Sequence, residues 1–225
     1  MRASAERTPA ENKQALLQYL IAFTGGYLGV YPVLFVAKSF ASAQTANIVN
    51  MMVNLSDLDF FKVLLRVLGL LVFVSAVVLA TYLPKHAKNI DIRKLAILVD
   101  ALDAVVLILL PEETQPLLAV LPNYFAMALQ WSCFPGAYGF VCATIFQTNN
   151  TKMVASAWTE VYLNHDDSYR LKLEFYGLNL LSYSAGVLSC SILAHITGRY
   201  ASLFVFIPLS AAWLLHNHIL TLTKQ

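Results

Sequence analysis

The sequence predicts an all-α polytopic membrane protein of about six transmembrane helices plus two short polar half-helices, arranged as an inverted 3+3 internal repeat. Three observations carry that expectation. First, the chain has 225 residues, of which 58% are hydrophobic and only 12% charged. Soluble domains typically carry about 25% charged residues, so charge is scarce here. Second, apolar stretches such as Leu64–Leu83, with one Arg, and Leu95–Pro111, with two Asp, recur along the chain. Each approaches the roughly 20 apolar residues needed to cross a bilayer core about 30 Å thick. Third, strong and weak apolar segments follow one another in the same order twice.

Residues 1–15 are polar, carry Arg2, Arg7 and Lys13 beside Glu6 and Glu11, and read as a cytoplasmic N-terminus. They lack the apolar core and small-residue site of a cleaved signal peptide, so the first span is expected to act as its own insertion signal. Six strong spans follow, at about 16–37, 61–83, 93–110, 117–140, 172–196 and 200–221. Pro84 closes the second span, Pro111 and Pro116 bracket the turn between the third and fourth, and Gly198 separates the fifth from the sixth. Segments 41–57 and 146–164 are weaker and rich in Asn, Gln, Thr and Ser. The order strong, weak, strong, strong runs through the first repeat, 16–110, and again through the second, 117–221. An offset of about 103 sets Thr45-Ala46-Asn47 on Thr148-Asn149-Asn150. Internal repeats of this kind are common in transporters.

Orientation follows from Lys and Arg, which collect in cytoplasmic loops. With both weak segments re-entrant and the N-terminus inside, Arg2, Arg7, Lys13, Lys85, Lys88, Arg93, Lys94, Lys152, Arg170, Lys172 and Lys224 are cytoplasmic. Only Lys38, Lys62, Arg66 and Arg199 fall outside. Full crossing of the weak segments spoils this split and puts Lys152 within a span, so six crossings are expected, with both termini cytoplasmic. Three crossings per half make the halves antiparallel.

The run Gly26-Tyr27-Leu28-Gly29-Val30-Tyr31, followed by Phe40-Ala41-Ser42-Ala43-Gln44-Thr45-Ala46-Asn47-Ile48-Val49, resembles the YoaK-like family of uncharacterised bacterial inner-membrane proteins. Thr148-Asn149-Asn150-Thr151-Lys152 matches that family's second motif loosely. Ala46 and Asn149 stand where its pattern usually has Gly, which removes the glycine turn it implies at both places. The resemblance covers essentially the whole chain. It implies a small six-helix protein of the bacterial inner membrane and supplies no activity.

Within the spans, polar groups are the candidates for chemistry, because a lipid-facing polar side chain is costly. Gln44, Thr45, Asn47 and Asn50, with Thr148 and Asn150 in the second half, are the expected substrate-binding residues of two broken or half helices. The competing reading is an interfacial helix or polar glue between helices. Asp100 and Asp103 share a face of the third span near mid-depth, where a charge costs about 2.5–3.5 kcal/mol even on insertion scales. They are the expected proton- or cation-coupling residues, with Arg66 their partner or structural counter-ion. Glu174 reads as structural. Gly25 and Gly29 have the GxxxG spacing of close helix packing, and Pro32 pairs with Pro135-Gly136 as helix breakers at equivalent places.

Other classes are excluded or bounded. No basic run points to nucleic acid, and no nucleophile–base pair, phosphate loop or metal signature points to an enzyme. Cys133, Cys142 and Cys190 have no CxxC spacing, and His195, His216 and His218 read as interfacial. No cofactor is expected. The partners expected are the lipid bilayer and an unknown small solute or ion, and the oligomeric state is not readable. The leading expectation is a small-solute transporter or permease; the alternative is a membrane scaffold or sensor that binds a protein or lipid. The orientation is directly testable. A reporter fused after Gln225 should read cytoplasmic, and one inserted between Glu112 and Thr114 should read on the opposite side.

Overall fold

The computed structural model describes residues 8–36, 44–87 and 89–222. Lys38, Lys88, residues 1–7 and 223–225, and the Phe40–Ala43 part of the family signature therefore lie outside the described residues. The chain is helical nearly throughout, as expected. Helix α1 spans Pro9–Phe35, earlier than the sequence reading, because Thr8 and Glu11 form a reciprocal capping box and Pro9 occupies the first turn. Helix α2 is Gln44–Ser56, α3 Phe60–His86 and α4 Ile92–Leu109. A single turn, α5 (Pro116–Ala119), leads into α6 (Leu121–Cys133). After a two-residue hairpin come α7 (Thr148–Tyr162), α8 (Arg170–Thr197), a 3₁₀ segment Gly198–Val205, and α9 (Phe206–Leu222). Both weak segments thus form short helices of 13 and 15 residues.

Among the described residues, three stretches are long and apolar enough to cross a membrane: Pro9–Phe35, Phe60–His86 and the combined stretch Asp167–Leu222. Helix α4 holds 18 residues, including Arg93, Lys94, Asp100 and Asp103. Helix α6 holds 13 residues, about 20 Å at 1.5 Å per residue. The expected span 117–140 is corrected here: it stops at Cys133, and Pro135-Gly136 ends it rather than kinking it. Gly136 has φ +146°, and a Cβ there would strike the Phe140 carbonyl. Strands Gly136–Ala137 and Phe140–Val141 pair across Tyr138 and Gly139, both at positive φ. Pro32, by contrast, lies inside α1, which continues to Phe35. The two breakers hold matching places but do different things.

The packing partners follow a pattern. Helix α1 lies against α8 and α9, and α6 lies against α3 and α4. Each short helix packs on the long helix that follows it, α2 on α3 and α7 on α8. Helix α1 is central, with 72% of its apolar window buried against 22% for α3. Apolar stripes on α3 (Leu64, Leu71, Val78) and α8 (Leu181, Leu188, Ile196) are left exposed, as a lipid-facing surface requires.

The α1–α8 crossing has no room for side chains. A Cβ on Gly26 would meet the Tyr183 carbonyl, and one on Gly186 would meet the Phe23 carbonyl. The expected Gly25/Gly29 pair does not act as a pair. Gly25 abuts the Thr144 carbonyl, whereas a Cβ on Gly29 would find only the Tyr183 hydroxyl, at 3.9 Å. Gly26→Val should therefore lower stability by about 1–3 kcal/mol through overpacking. Gly29→Ala should stay within about 0.5 kcal/mol of the parent. Thermal unfolding of the detergent-solubilised protein reads both.

Candidate functional site

Four polar groupings sit inside the bundle. The first surrounds the break after α6. From Phe134 to Gln147 the chain forms no helix, yet Phe134 and Cys142 to Ile145 are buried. Backbone in that setting must find partners within the protein. Gln18 donates from Nε2 to the carbonyls of Phe134 (3.2 Å) and Cys142 (3.3 Å). Asn150 donates from Nδ2 to the Ala143 carbonyl at 2.8 Å, while the Ala143 N–H donates to Asn150 Oδ1 at 3.3 Å. Gln130 donates to Thr144 Oγ1 at 3.0 Å and to the Ile21 carbonyl at 3.2 Å. Tyr176 donates its hydroxyl to the Val141 carbonyl at 2.6 Å. Asn150 also reaches Asn179 on α8 at 3.2 Å. In the second half the Asn of Thr-x-Asn therefore closes broken backbone.

The second grouping holds the equivalent Asn47. Each Asn donates to the Gln three residues before it, Asn47 to Gln44 Oε1 at 3.3 Å and Asn150 to Gln147 Oε1 at 2.7 Å. Beyond that the halves diverge. Asn47 donates to the Arg66 carbonyl at 3.0 Å and accepts from Arg66 Nη1 at 3.4 Å. Arg66 thus engages α2 rather than either acid of α4. Thr45, Asn50 and Thr148 are exposed. The hydrogen bonds of Asn47 and Asn150 share no partner, so the expected substrate residues form two separate clusters rather than one.

The third grouping is the acid pair. Asp100 is 0% and Asp103 3% exposed, the ninth and twelfth residues of the 18 in α4. Asn123 on α6 donates to Asp103 Oδ2 at 2.6 Å and to the Leu28 carbonyl at 3.4 Å. Both oxygens of Asp100, Oδ1 of Asp103 and Oδ1 of Asn123 have no hydrogen-bond partner. Four acceptor oxygens are buried there without a donor.

The fourth grouping brackets α4. Before its first turn, His216 Nε2 lies 2.8 Å from Asp91 Oδ2. Burial works upward on the Asp91 carboxyl, but His216 and the N–H groups of Lys94 and Arg93 outweigh it and hold it below its ordinary value. Nearby, Lys13 contacts His218. At the other end, Arg199 donates to the carbonyls of Leu107 (3.1 Å) and Leu110 (2.7 Å), a cation on a helix C-terminus. A cavity of about 510 Å³ opens beside Arg199, Glu112 and Phe35.

A family model described as Protein of unknown function (DUF1275) matches residues 17–215. The chain belongs to that family. No curated protein and no solved structure matches the chain. The DUF1275 match takes in every residue named in these groupings except Lys13, His216 and His218.

Sequence reasoning missed Gln18, Asn123, Gln130, Asn179 and Gly186. Gln18, Asn123 and Gln130 carried the signal that singled out Asp100, a polar residue alone in an apolar run. Gly186 carried none beyond being a glycine, because its neighbour in space lies far away in sequence. Asn150→Ala should leave the Ala143 N–H and carbonyl without partners and lower unfolding stability by about 1–3 kcal/mol. Thr148→Ala, at an exposed position, should change it by less than about 0.5 kcal/mol.

Proposed function

We propose that this chain is a small-solute transporter or permease of the bacterial inner membrane, close to the YoaK-like proteins it resembles, with six crossings in an inverted 3+3 repeat. The reciprocal packing of α1 on α8 and α9, and of α6 on α3 and α4, supports the repeat. The charge asymmetry between loops supports cytoplasmic termini. The observation that carries the functional reading is the buried acceptor cluster of Asp100, Asp103 and Asn123 in mid-helix.

The coupling ion in this reading is the proton. Two neighbouring buried carboxylates repel one another, and three of their four oxygens lack a donor. Protonation neutralises each and converts one of its oxygens into an O–H donor. A Ca²⁺-type ion would instead take 6–8 oxygen ligands. No group of three or more His, Cys, Asp or Glu suited to a metal occurs among the described residues. Asn123 serves as the fixed donor that distinguishes Asp103 from Asp100.

A thermal-shift screen of the purified protein against metabolites and ions identifies ligands, and uptake into proteoliposomes under an imposed pH gradient tests coupling. Asp100→Asn and Asp103→Asn should each reduce gradient-driven uptake at least about tenfold. Both should preserve expression and solute binding. Unchanged uptake in the double variant removes the coupling role. The closed packing around Asn150 favours a second reading, a scaffold or sensor that binds a protein or lipid, and absence of uptake for every screened ligand would support it.

A further inference from the structure

Arg66 is the seventh residue of α3, about 9 Å along the helix from Phe60. An arginine there has two ordinary ways to settle: reach along the helix to water, or pair with an acid. Arg66 does neither. It turns onto α2, placing Nη1 3.4 Å from the Oδ1 of Asn47, a side chain only 3% exposed. Its Nε is buried without a partner. The ion pairs among the described residues join Lys62 to Asp59, Arg170 to Asp167, Arg199 to Glu112 and His216 to Asp91. None involves Arg66. By sequence, residues 37–43 and α2 contain no Asp or Glu.

The unpartnered atoms around Arg66 are all of one kind. Gln44 donates nothing from Nε2, which is buried, while its Oε1 is occupied by Asn47. Arg66 Nε is likewise an N–H group. The buried atoms of the cluster that lack a partner, Gln44 Nε2 and Arg66 Nε, are therefore both donors, beside a positive charge. The corresponding cluster of the second half has no cation, and its Asn150 is spent on the Ala143 backbone. The acid pair on α4 is the opposite case: the unpartnered atoms there are all acceptor oxygens.

We propose that Arg66, Gln44 and Asn47 form a binding site for the carboxylate of a small monoanionic solute. A guanidinium edge with adjacent N–H donors matches the two oxygens of a carboxylate. Lys62, one turn away, is held by Asp59 at 2.7 Å, so among the described residues the charge of the cluster is that of Arg66 alone. One positive charge matches a monoanion better than a dianionic phosphate. Tyr124 covers Gly69, one turn beyond Arg66, at 3.0 Å from where a Cβ would stand, and supplies an apolar wall for the remainder of the solute. The site rests on the transport reading and names its substrate class; together with the acid pair it makes the reaction the joint movement of a monocarboxylate and a proton.

The test is equilibrium binding by the delipidated full-length protein, followed by thermal shift with acetate, butyrate and benzoate against chloride at constant ionic strength. Saturable stabilisation by at least one carboxylate but not by chloride is expected. Arg66→Gln should weaken it about tenfold or more, and Arg66→Lys should weaken it less. If Arg66→Gln does not fold, Gln44→Glu decides. Its own carboxylate should fill the cluster, raise the unfolding temperature and abolish the response. A carboxylate response undiminished in Arg66→Gln or Gln44→Glu overturns the site, as does the lack of any saturable response. A further arm adds vesicles of phosphatidylglycerol or phosphatidylcholine. Stabilisation by phosphatidylglycerol alone would assign the cluster to a lipid phosphodiester and overturn the solute. Asp100→Asn/Asp103→Asn should bind carboxylate normally, so loss of coupling and loss of this site are read separately.

Discussion

Backbone amides buried away from water must be hydrogen-bonded inside the protein, and between Phe134 and Gln147 that requirement governs the rest of the architecture. The segment cannot satisfy itself as a helix does. Its carbonyls and N–H groups instead recruit Gln18 from α1, Asn150 from α7 and Tyr176 from α8, and the Thr144 hydroxyl accepts from Gln130 of α6. Four helices are thereby fixed around one stretch of chain. Gly25 belongs to the same arrangement, because the Thr144 carbonyl occupies the space its side chain would take. The central position of α1 follows: it supplies both the donor and the empty space.

Two kinds of contact then divide the molecule. The α1–α8 crossing is backbone against backbone at Gly26 and Gly186, with no side chains to rearrange. The α4 flank is held by side-chain bonds, from His216 at one end, Asn123 in the middle, and Ser202 and Arg199 at the other. Interlocked backbones shift only by coming apart, whereas single hydrogen bonds exchange partners locally. The buried acids ride on the more adaptable of these two parts. The cationic cluster at Arg66 lies on α3, which meets α4 chiefly through α6.

Legibility in the sequence depended on how far apart the interacting residues lie. The helices were readable because apolar length and charge scarcity are local properties, and Gln44 and Asn47 were readable as one polar group because they lie three residues apart. Burial of Asp100 and Asp103 was likewise visible from their setting. The hairpin was not, because Leu117–Phe140 is apolar enough to read as one helix, and Pro135-Gly136 read as a kink within it although Gly136, Tyr138 and Gly139 all turn out to have positive φ. Nor could spacing show that Asn150 serves Ala143 while Asn47 serves Arg66. The two share a motif and differ in what surrounds them, and surroundings are set by tertiary packing. The pairing of Arg66 with α2 rather than α4 was hidden for the same reason.

The dependence of α1 on residues far along the chain has a consequence for biogenesis. Thr24 and Gln18 enter the bilayer with the first helix, yet Gln130 and the Cys142 carbonyl that meet them are more than a hundred positions later. At 5–20 residues per second, the ribosome takes roughly ten seconds to supply those partners. During that interval the Gln18 amide and the glycines of α1 lack the neighbours that they have in the finished fold. Assembly of this protein is therefore a closing of its earliest segment by its latest ones.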